Sequence, residues 1–207
     1  MAILIVAATE FEIEPFIQQK KNFDILITGV GIPATIYHLT KELLTKKYEF
    51  AIQAGIAGTF TKTNSLGKVV FVKEDTFADT GIEEKGDFQT LFEKGFADKN
   101  DFPFTNGWLK NNHSLIKKEL LPVAKGITIN KLTDKPSQNN FNKEKFSADI
   151  ESMEGAAFHY VCLQQKINFL QLRSISNTVG ERDKSKWKLK ASIENLNKEL
   201  IKIIDNL

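Results

Sequence analysis

An apolar run near the end of the sequence stops at two small polar residues, the second of which is a carboxamide. In "QLRSISNTVGERDKSKW" the run ends at Ser176 and Asn177, and Glu181, Arg182 and Asp183 follow shortly after. A carboxamide both donates and accepts hydrogen bonds, whereas an ionised carboxylate only accepts them. Asn177 is therefore a candidate for contacting a ligand that presents acceptors. The alternative is an asparagine that merely holds a turn.

Two glutamates stand in patterns that fit either chemistry or helix capping. Thr9 precedes a helix-like segment and Glu12 is at its third position, which is the arrangement of a capping box. Glu154 lies in "ESMEGAA", close to Glu151 and Ser152, which are themselves candidates for a helix cap. The pattern alone favours capping for Glu12, so a catalytic role needs support from elsewhere.

The elements that must position these side chains alternate along the chain. Apolar, β-branched runs predict strands at 2–8, 24–31, 49–58, 67–79, 125–132 and 167–175, with a Gly-rich turn closing the third. Helix-like segments follow from Thr9 and at 33–48, 152–165 and 188–206. Residues 79–112 have little periodicity and predict a long surface excursion.

Strands that alternate with helices predict an α/β fold. We expect one domain over residues 1–207, built as three α/β/α layers around a mostly parallel, mixed sheet. Ligands of such sheets bind beyond the carboxyl ends of the strands. The sequence places small or polar residues at four of these ends: Ala8 to Glu12, Val30 and Gly31, Gly55, Ile56, Ala57 and Gly58, and Ser176 with Asn177. A cleft is therefore predicted there.

Composition excludes several classes of partner. The 207 residues carry 28 basic and 26 acidic side chains, a net charge of +2, which gives no strong field for nucleic acid or an anionic membrane. The apolar opening is too short to span a bilayer and has no signal-peptide pattern. The single cysteine, Cys162, fits a reducing compartment, so a cytoplasmic location is expected.

Three motifs in order, "QAGIAG", "ESMEGAAFHYVC" and "LRSISN", resemble the nucleoside phosphorylase and nucleosidase superfamily over almost the whole chain. Within it the sequence is most similar to the futalosine hydrolases of menaquinone biosynthesis, through "AATEFEIEPF", "DFPFTNGWLKN", "GITINKLT" and "SNTVGERDKSKW". The related methylthioadenosine/adenosylhomocysteine nucleosidases carry the motif "ISD" where this chain has Ile175, Ser176 and Asn177, so an aspartate stands at the position of Asn177. The resemblance implies a nucleoside phosphorylase-like fold and cleavage of an N-glycosidic bond, releasing hypoxanthine from futalosine.

The resemblance also implies roles for individual residues. Glu12 would activate the attacking water, Glu154 would accept hydrogen bonds from the ribose hydroxyls, and Met153 would pack beneath the ribose. Asn177 would donate to O6 and N7 of a 6-oxopurine, where a carboxylate would face two lone pairs. The purine-binding loop before the "SME" helix would fall near Lys131 and Leu132. Arg182 would meet the substrate carboxylate or pair with Asp183 or Glu181.

Water is the expected nucleophile rather than phosphate. The only arginines are Arg173 and Arg182, and paired guanidinium groups in the amino-terminal half are what phosphorolysis by this superfamily would require. No metal or organic cofactor is expected, and the three histidines show no metal-ligand spacing. The resemblance implies a homodimer or larger homo-oligomer. The alternatives are a nucleosidase for methylthioadenosine, adenosylhomocysteine or aminodeoxyfutalosine, and a non-catalytic nucleoside sensor.

Overall fold

The structure is a computed structural model that describes residues 2–19, 22–61, 63–117 and 120–207. The strands of the described residues are β1 Ile3–Ala7, β2 Asp24–Ile27, β3 Phe50–Thr59, β4 Val69–Asp75, β5 Gly81–Glu84, β6 Asp87–Thr90, β7 Leu109–Lys110, β8 Val123–Thr128, β9 Ile150–Ser152 and β10 Asn168–Thr178. The helices are α1 Glu10–Gln19, α2 Ile32–Thr45, α3 Ser114–Lys117, α4 Pro136–Phe146, α5 Gly155–Gln164 and α6 Leu189–Asp205. A 3₁₀ turn covers Lys184–Lys186.

The main sheet is mixed, with its parallel strands grouped around β3. Strand β1 pairs in parallel with β2 and β3, and β3 pairs in parallel with β10. Strand β4 runs antiparallel to β10 and parallel to β8. The short strand β9 pairs with β8 and also with the far end of β3. The carboxyl ends of β1, β3 and β10 therefore meet at one edge, as the sequence predicts for parallel strands.

Alternate residues of β1 belong to different cores, which is what a buried central strand requires. Ile3 and Ile5 pack with α1 and α6 through a cluster that includes Phe16 of α1. Leu4 and Val6 pack on the opposite face with α2 and α5. The sheet thus lies between two helical layers, and the three-layer α/β/α prediction is confirmed.

The Gly-rich turn predicted after the third strand is wrong, because β3 continues as strand through Thr59. The glycines serve close packing instead. A Cβ on Gly55 would lie 2.4 Å from Nη1 of Arg173 and 3.0 Å from Oε1 of Glu12. A side chain there would displace both charged groups, so Gly55 makes room for them.

Three further segments differ from the sequence expectation. The predicted excursion at 79–112 includes the β5–β6 hairpin and β7 as well as irregular turns. Helix α4 was not predicted, since its residues are mostly polar and carry no apolar stripe. The helix predicted from Ser152 begins at Gly155, because Ile150–Ser152 pair as β9. Among the described residues, no helix combines the length and apolar character needed to span a membrane.

Candidate active site

A cavity of about 310 Å³ opens at the edge where β1, β3 and β10 end. It is lined by four groups of residues: Ala8, Thr9, Phe11 and Glu12 after β1; Val30; Ile56 and Gly58 of β3; and Ser176 and Asn177 of β10 with Val179, Gly180, Arg182, Lys184, Trp187 and Leu189, which follow that strand. The remaining wall comes from Leu132 and Thr133 and from Glu151, Ser152, Met153 and Glu154. Three carboxylates and one carboxamide therefore share a single cavity.

Glu12 is buried, and its carboxylate is held by three donors. Oε2 accepts from the Thr9 backbone N–H and from the Thr9 hydroxyl, each at 3.1 Å. Oε1 accepts from the backbone N–H of Ile56 at 3.0 Å. The Thr9 backbone contact is the capping interaction that the sequence predicts, so capping and a place in the cavity occur together. A carboxylate offers about four acceptor positions, which leaves one for a water molecule.

Glu154 sits at the start of α5 beside the only arginine of the sheet interior. Its Oε1 accepts from the backbone N–H of Gly31 at 3.1 Å, and its Oε2 lies 3.5 Å from Nη1 of Arg173. Burial raises the pKa of Glu154, and the Arg173 guanidinium and the Gly31 N–H oppose this rise. One N–H donor and one guanidinium leave acceptor capacity on the carboxylate for two vicinal hydroxyls.

Arg173 is 1% exposed and joins three elements. Besides facing Glu154, it donates from Nη2 to the side-chain oxygen of Gln53 at 2.9 Å and from Nη1 to the carbonyl of Ile56 at 3.4 Å. Ile56 in turn donates its N–H to Glu12. The arginine therefore connects the two carboxylates through the backbone of β3, and sequence reasoning gave it no site role. A lone charged residue inside an apolar strand was the available signal, because a buried charge needs partners.

Asn177 is the penultimate residue of β10, and neighbouring groups fix the orientation of its amide. Its Oδ1 accepts from the Ser176 hydroxyl at 2.8 Å, and its Nδ2 donates to the Thr178 carbonyl at 2.8 Å. A Cβ on Gly58 would lie 3.0 Å from Val179 Cγ2 and 3.4 Å from Nδ2, so the NH₂ group lies beside Gly58, and all three residues line the cavity. Since the NH₂ group has two hydrogens, one remains to donate to a ligand in the cavity.

Glu151 also faces the cavity, and the sequence indicated only a capping role for it. The residue is 5% exposed, and its Oε2 has no hydrogen-bond partner among the described residues. Desolvation raises the pKa of Glu151 to about 7, against the attraction of Arg182, and Asp79 raises it further. A buried acceptor without a partner is costly, so this carboxylate is a position at which a ligand would be expected to bind.

A buried polar network supports the start of α5. Asp75 accepts from the Thr128 hydroxyl at 2.9 Å and from the Gln171 amide at 3.3 Å. The Thr128 oxygen accepts from the backbone N–H of Ala156 at 2.7 Å. A Cβ on Gly155 would lie 2.2 Å from Asp75 Oδ2, so glycine is required there. The network fixes the first turn of α5 and, through it, Glu154.

Arg182 belongs to the cavity wall rather than to the ion pairs suggested for it. Glu181 and Asp183 both face Lys186 instead, at 3.0 and 3.9 Å. The Arg182 guanidinium carbon lies 6.0 Å from the centre of the Trp187 ring, whose Nε1 donates to the Glu181 carbonyl. The segment after β10 therefore forms a side of the cavity that carries an aromatic ring and a positive charge.

The structure brings most of the sequence-predicted residues together. Those that line the cavity are Ala8, Glu12, Val30, Ile56, Gly58, Leu132, Met153, Glu154, Ser176, Asn177 and Arg182. Gly31 contributes a backbone N–H to Glu154, and Gly55 lies behind Glu12, while Ala57 packs in the core. Lys131 does not line this cavity, although the next residue, Leu132, does. Lys131 instead lines a separate cavity together with Asp79 and Asn142. No group of three or more His, Cys, Asp or Glu side chains in the described part of the chain could hold a metal ion.

Comparison with known proteins identifies the family. The model of the phosphorylase superfamily matches residues 19–207. Futalosine hydrolase of Thermus thermophilus is 31% identical over 183 residues, which cover 84% of this chain and 78% of that protein. Futalosine hydrolase of Streptomyces coelicolor is 26% identical over 175 residues, which cover 81% and 72% of the two chains.

Solved structures share the fold at lower identity. Native futalosine hydrolase of Helicobacter pylori superposes with a TM-score of 0.81 at 17% identity, covering 99% of this chain and 97% of that one. A 5'-methylthioadenosine/S-adenosylhomocysteine nucleosidase of Neisseria meningitidis, in complex with methylthio-immucillin-A, gives 0.82 at 17% identity and 99% coverage of both chains. The chain therefore belongs to the phosphorylase superfamily and, within it, to the futalosine hydrolase family.

Proposed function

We propose that this protein hydrolyses the N-glycosidic bond of futalosine and releases hypoxanthine and dehypoxanthine futalosine. The observation that carries the proposal is that Glu12, Glu154 and Asn177 border one cavity of about 310 Å³. These are the groups needed to activate water, hold a sugar and stabilise a departing 6-oxopurine. Membership of the futalosine hydrolase family supports the same reaction.

The sugar end of the cavity is the part that contains Glu12 and Glu154. Glu154 accepts hydrogen bonds from the vicinal ribose hydroxyls and so fixes the ring for attack. Glu12 takes a proton from the attacking water through its remaining acceptor position as the sugar develops oxocarbenium character. Three donors hold Glu12 in a single orientation, so its carboxylate need not reorganise during the reaction.

The base end of the cavity is the part that contains Asn177 and Glu151. O6 and N7 of hypoxanthine are neighbouring acceptors, and the available N–H of Asn177 donates to them. As the glycosidic bond breaks, its electron pair stays on the purine, which departs as an anion that this hydrogen bond stabilises. The anion then takes a proton from solvent water, and the proton taken up by Glu12 returns to solvent. An aspartate at position 177 would present lone pairs to the same edge. The Ser176 hydroxyl supports the donor assignment because it holds the amide oxygen.

The charges around the cavity favour water over phosphate as the nucleophile. Arg173 is already engaged by Glu154, Gln53 and Ile56, so it is not available to grip an anion. Arg182 and Lys184 line the wall formed after β10. A doubly charged phosphate next to Glu12 and Glu154 would need paired, fork-shaped donors to offset their repulsion.

The wider setting is also part of the proposal. A single domain over 1–207 would act in the cytoplasm, in menaquinone biosynthesis, without a metal or organic cofactor. Phe11 and Val30, each 56% exposed, border the cavity with apolar surface. Such surface supports a homodimer or larger homo-oligomer in which a second copy covers the cavity mouth.

Base release from futalosine, inosine and methylthioadenosine, each with and without phosphate, tests the function. We expect hypoxanthine from futalosine at a rate that phosphate does not change, with inosine and methylthioadenosine turned over far more slowly. Adenine release exceeding hypoxanthine release would favour a methylthioadenosine nucleosidase instead. Tight binding without base release would identify a sensor. A strict need for phosphate would contradict hydrolysis.

A further inference from the structure

Three strands place a glycine between Glu151 and Asn177. Gly58 of β3 pairs directly with Asn177 of β10 on one side and with Glu151 of β9 on the other. Paired residues on adjacent strands point their side chains to the same face. Glu151 and Asn177 therefore stand on one face, separated by two strand spacings, on the order of 10 Å between their backbones. Gly58 adds no side chain between them, and Val179 Cγ2 lies 3.0 Å from where a Cβ of Gly58 would stand. Glu151, Asn177, Gly58 and Val179 all line the cavity.

The two flanking side chains differ in what they offer to a ligand. Asn177 places its NH₂ group beside Gly58, at the wall of the cavity. Glu151 contributes a carboxylate whose Oε2 has no partner in the described part of the chain, although the residue is 95% buried. One side of the gap thus presents a donor and the other an acceptor. A planar ligand that fills this gap needs an acceptor on one part of its edge and a donor on another.

A 6-oxopurine has that pattern and a 6-aminopurine does not. Along the edge of hypoxanthine, N7 and O6 accept and N1–H donates. Adenine reverses this pattern at the pyrimidine ring, because its 6-amino group donates and its N1 accepts. We infer that Glu151 is a specificity-determining residue that accepts the N1–H of the 6-oxopurine while Asn177 donates to O6 and N7. This inference rests on the proposed function, since it assigns the base recognised in that reaction.

The surroundings of Glu151 agree with this role. Arg182 and Asp79 are the charged groups that act on its pKa, and desolvation is the largest cause of the rise to about 7. Hydrogen bonding from N1–H favours the ionised form and offsets that burial. The positive charge of Arg182 stabilises the ionised carboxylate of Glu151. N1 of adenine would instead place a lone pair against that carboxylate.

Two variants and a matched control test the inference through selectivity. Glu151→Gln can donate to N1 of adenine, and Glu151→Leu removes hydrogen bonding. For each, kcat/KM is measured with futalosine and with aminodeoxyfutalosine. We expect the preference for futalosine over aminodeoxyfutalosine to fall at least 10-fold in both, with the larger fall in Glu151→Gln. Glu83→Gln, an exposed change in β5, should leave the preference unchanged.

A binding measurement on the unaltered protein tests the same contact without any variant. Hypoxanthine should inhibit at a concentration at least 10-fold lower than 1-methylhypoxanthine, which lacks the N1–H donor. Equal inhibition by the two bases, or an unchanged substrate preference in both Glu151 variants, would overturn the inference. Failure of the unaltered protein to release hypoxanthine from futalosine would instead contradict the proposed function, so the two failures are distinguishable.

Discussion

The two ends of the cavity are built differently. At the sugar end, Glu12 accepts three hydrogen bonds, and Glu154 is held by a backbone N–H and the Arg173 guanidinium. At the base end, one oxygen of Glu151 is unpartnered among the described residues, and Asn177 keeps one N–H for a ligand. The sugar end is preorganised by the protein, whereas the base end is completed by the ligand.

We expect the sugar end to govern the rate of the reaction and the base end to govern which base is released. Groups that are already oriented by the protein lower the barrier without reorganisation, so changes there should lower kcat for every substrate. Groups that lack partners gain them only from a base of matching pattern, so changes there should alter which base is released. Mutations at each end therefore test whether the division holds.

The largest effect is expected from Glu12→Gln. The glutamine can still accept from Ile56 but cannot take a proton from water, so kcat should fall about 100- to 10,000-fold for futalosine. Binding of the substrate should change much less. Glu14→Gln, an exposed change on the same helix, is the matched control and should leave turnover intact. Near-normal kcat in Glu12→Gln would show that the preorganised carboxylate is not the base.

The next effect is expected on stability, from Arg173→Met. Removing the guanidinium leaves the buried carboxylate of Glu154 without its charged partner, and breaking such a pair lowers the free energy of unfolding by about 3 to 5 kcal/mol. Denaturant unfolding measures this loss, with Lys198→Met, an exposed change on α6, as the control. Arg173→Lys should recover part of the stability but little of the turnover, since it keeps the charge and loses the fork. Equal stability of Arg173→Met and the parent protein would remove the basis for a preorganised sugar end.

Asn177→Asp tests the base end and should have a smaller effect. Replacing the donor with a carboxylate leaves O6 and N7 facing lone pairs, a cost of about 1 to 3 kcal/mol, so kcat/KM for futalosine should fall about 10- to 100-fold. Asn112→Asp is an exposed control. Unchanged or improved turnover of futalosine would contradict the donor role of the amide.

The smallest effect on turnover is expected at Asp75, where pH dependence is the more informative measurement. Burial raises the pKa of Asp75 to about 7, opposed by Thr128, Arg173 and Gln171. The folded state then holds this proton more firmly than the unfolded state, so stability from this group is full below pH 4 and is lost as pH rises towards 7. Asp75→Asn should therefore gain stability relative to the parent between pH 5 and pH 8. A difference that does not change with pH would contradict the raised pKa.

For Glu154, only the resemblance to the superfamily indicates a place in this site. The meeting of Glu12 and Asn177 could be predicted from the strands, because each lies at the end of a predicted strand, and the carboxyl ends of parallel strands share one edge. The position of Glu151 could not. Its strand, β9, has three residues and runs directly into the motif that opens α5, so local pattern favours a helix start. Only pairing with β8 and β3, which are distant in sequence, makes those residues a strand.

Arg173 and Gly55 also make a contact that the local sequence could not predict. The sequence indicates a charge within an apolar run and a glycine at a strand end, but their partnership depends on the parallel register of β10 and β3. That register puts the guanidinium where a Cβ on Gly55 would stand. Long-range pairing of this kind has no local signal, so the local pattern predicts a turn at this glycine.

The most direct test of the account is a competition in one reaction. Equal amounts of futalosine and aminodeoxyfutalosine are supplied in phosphate-free buffer, and the hypoxanthine and adenine released are measured by chromatography. We predict that hypoxanthine accumulates while adenine release stays at least 10 times lower, because the base end presents a donor and an acceptor in the order that a 6-oxopurine needs. Adenine release equal to or above hypoxanthine release, or no release without phosphate, would contradict the account.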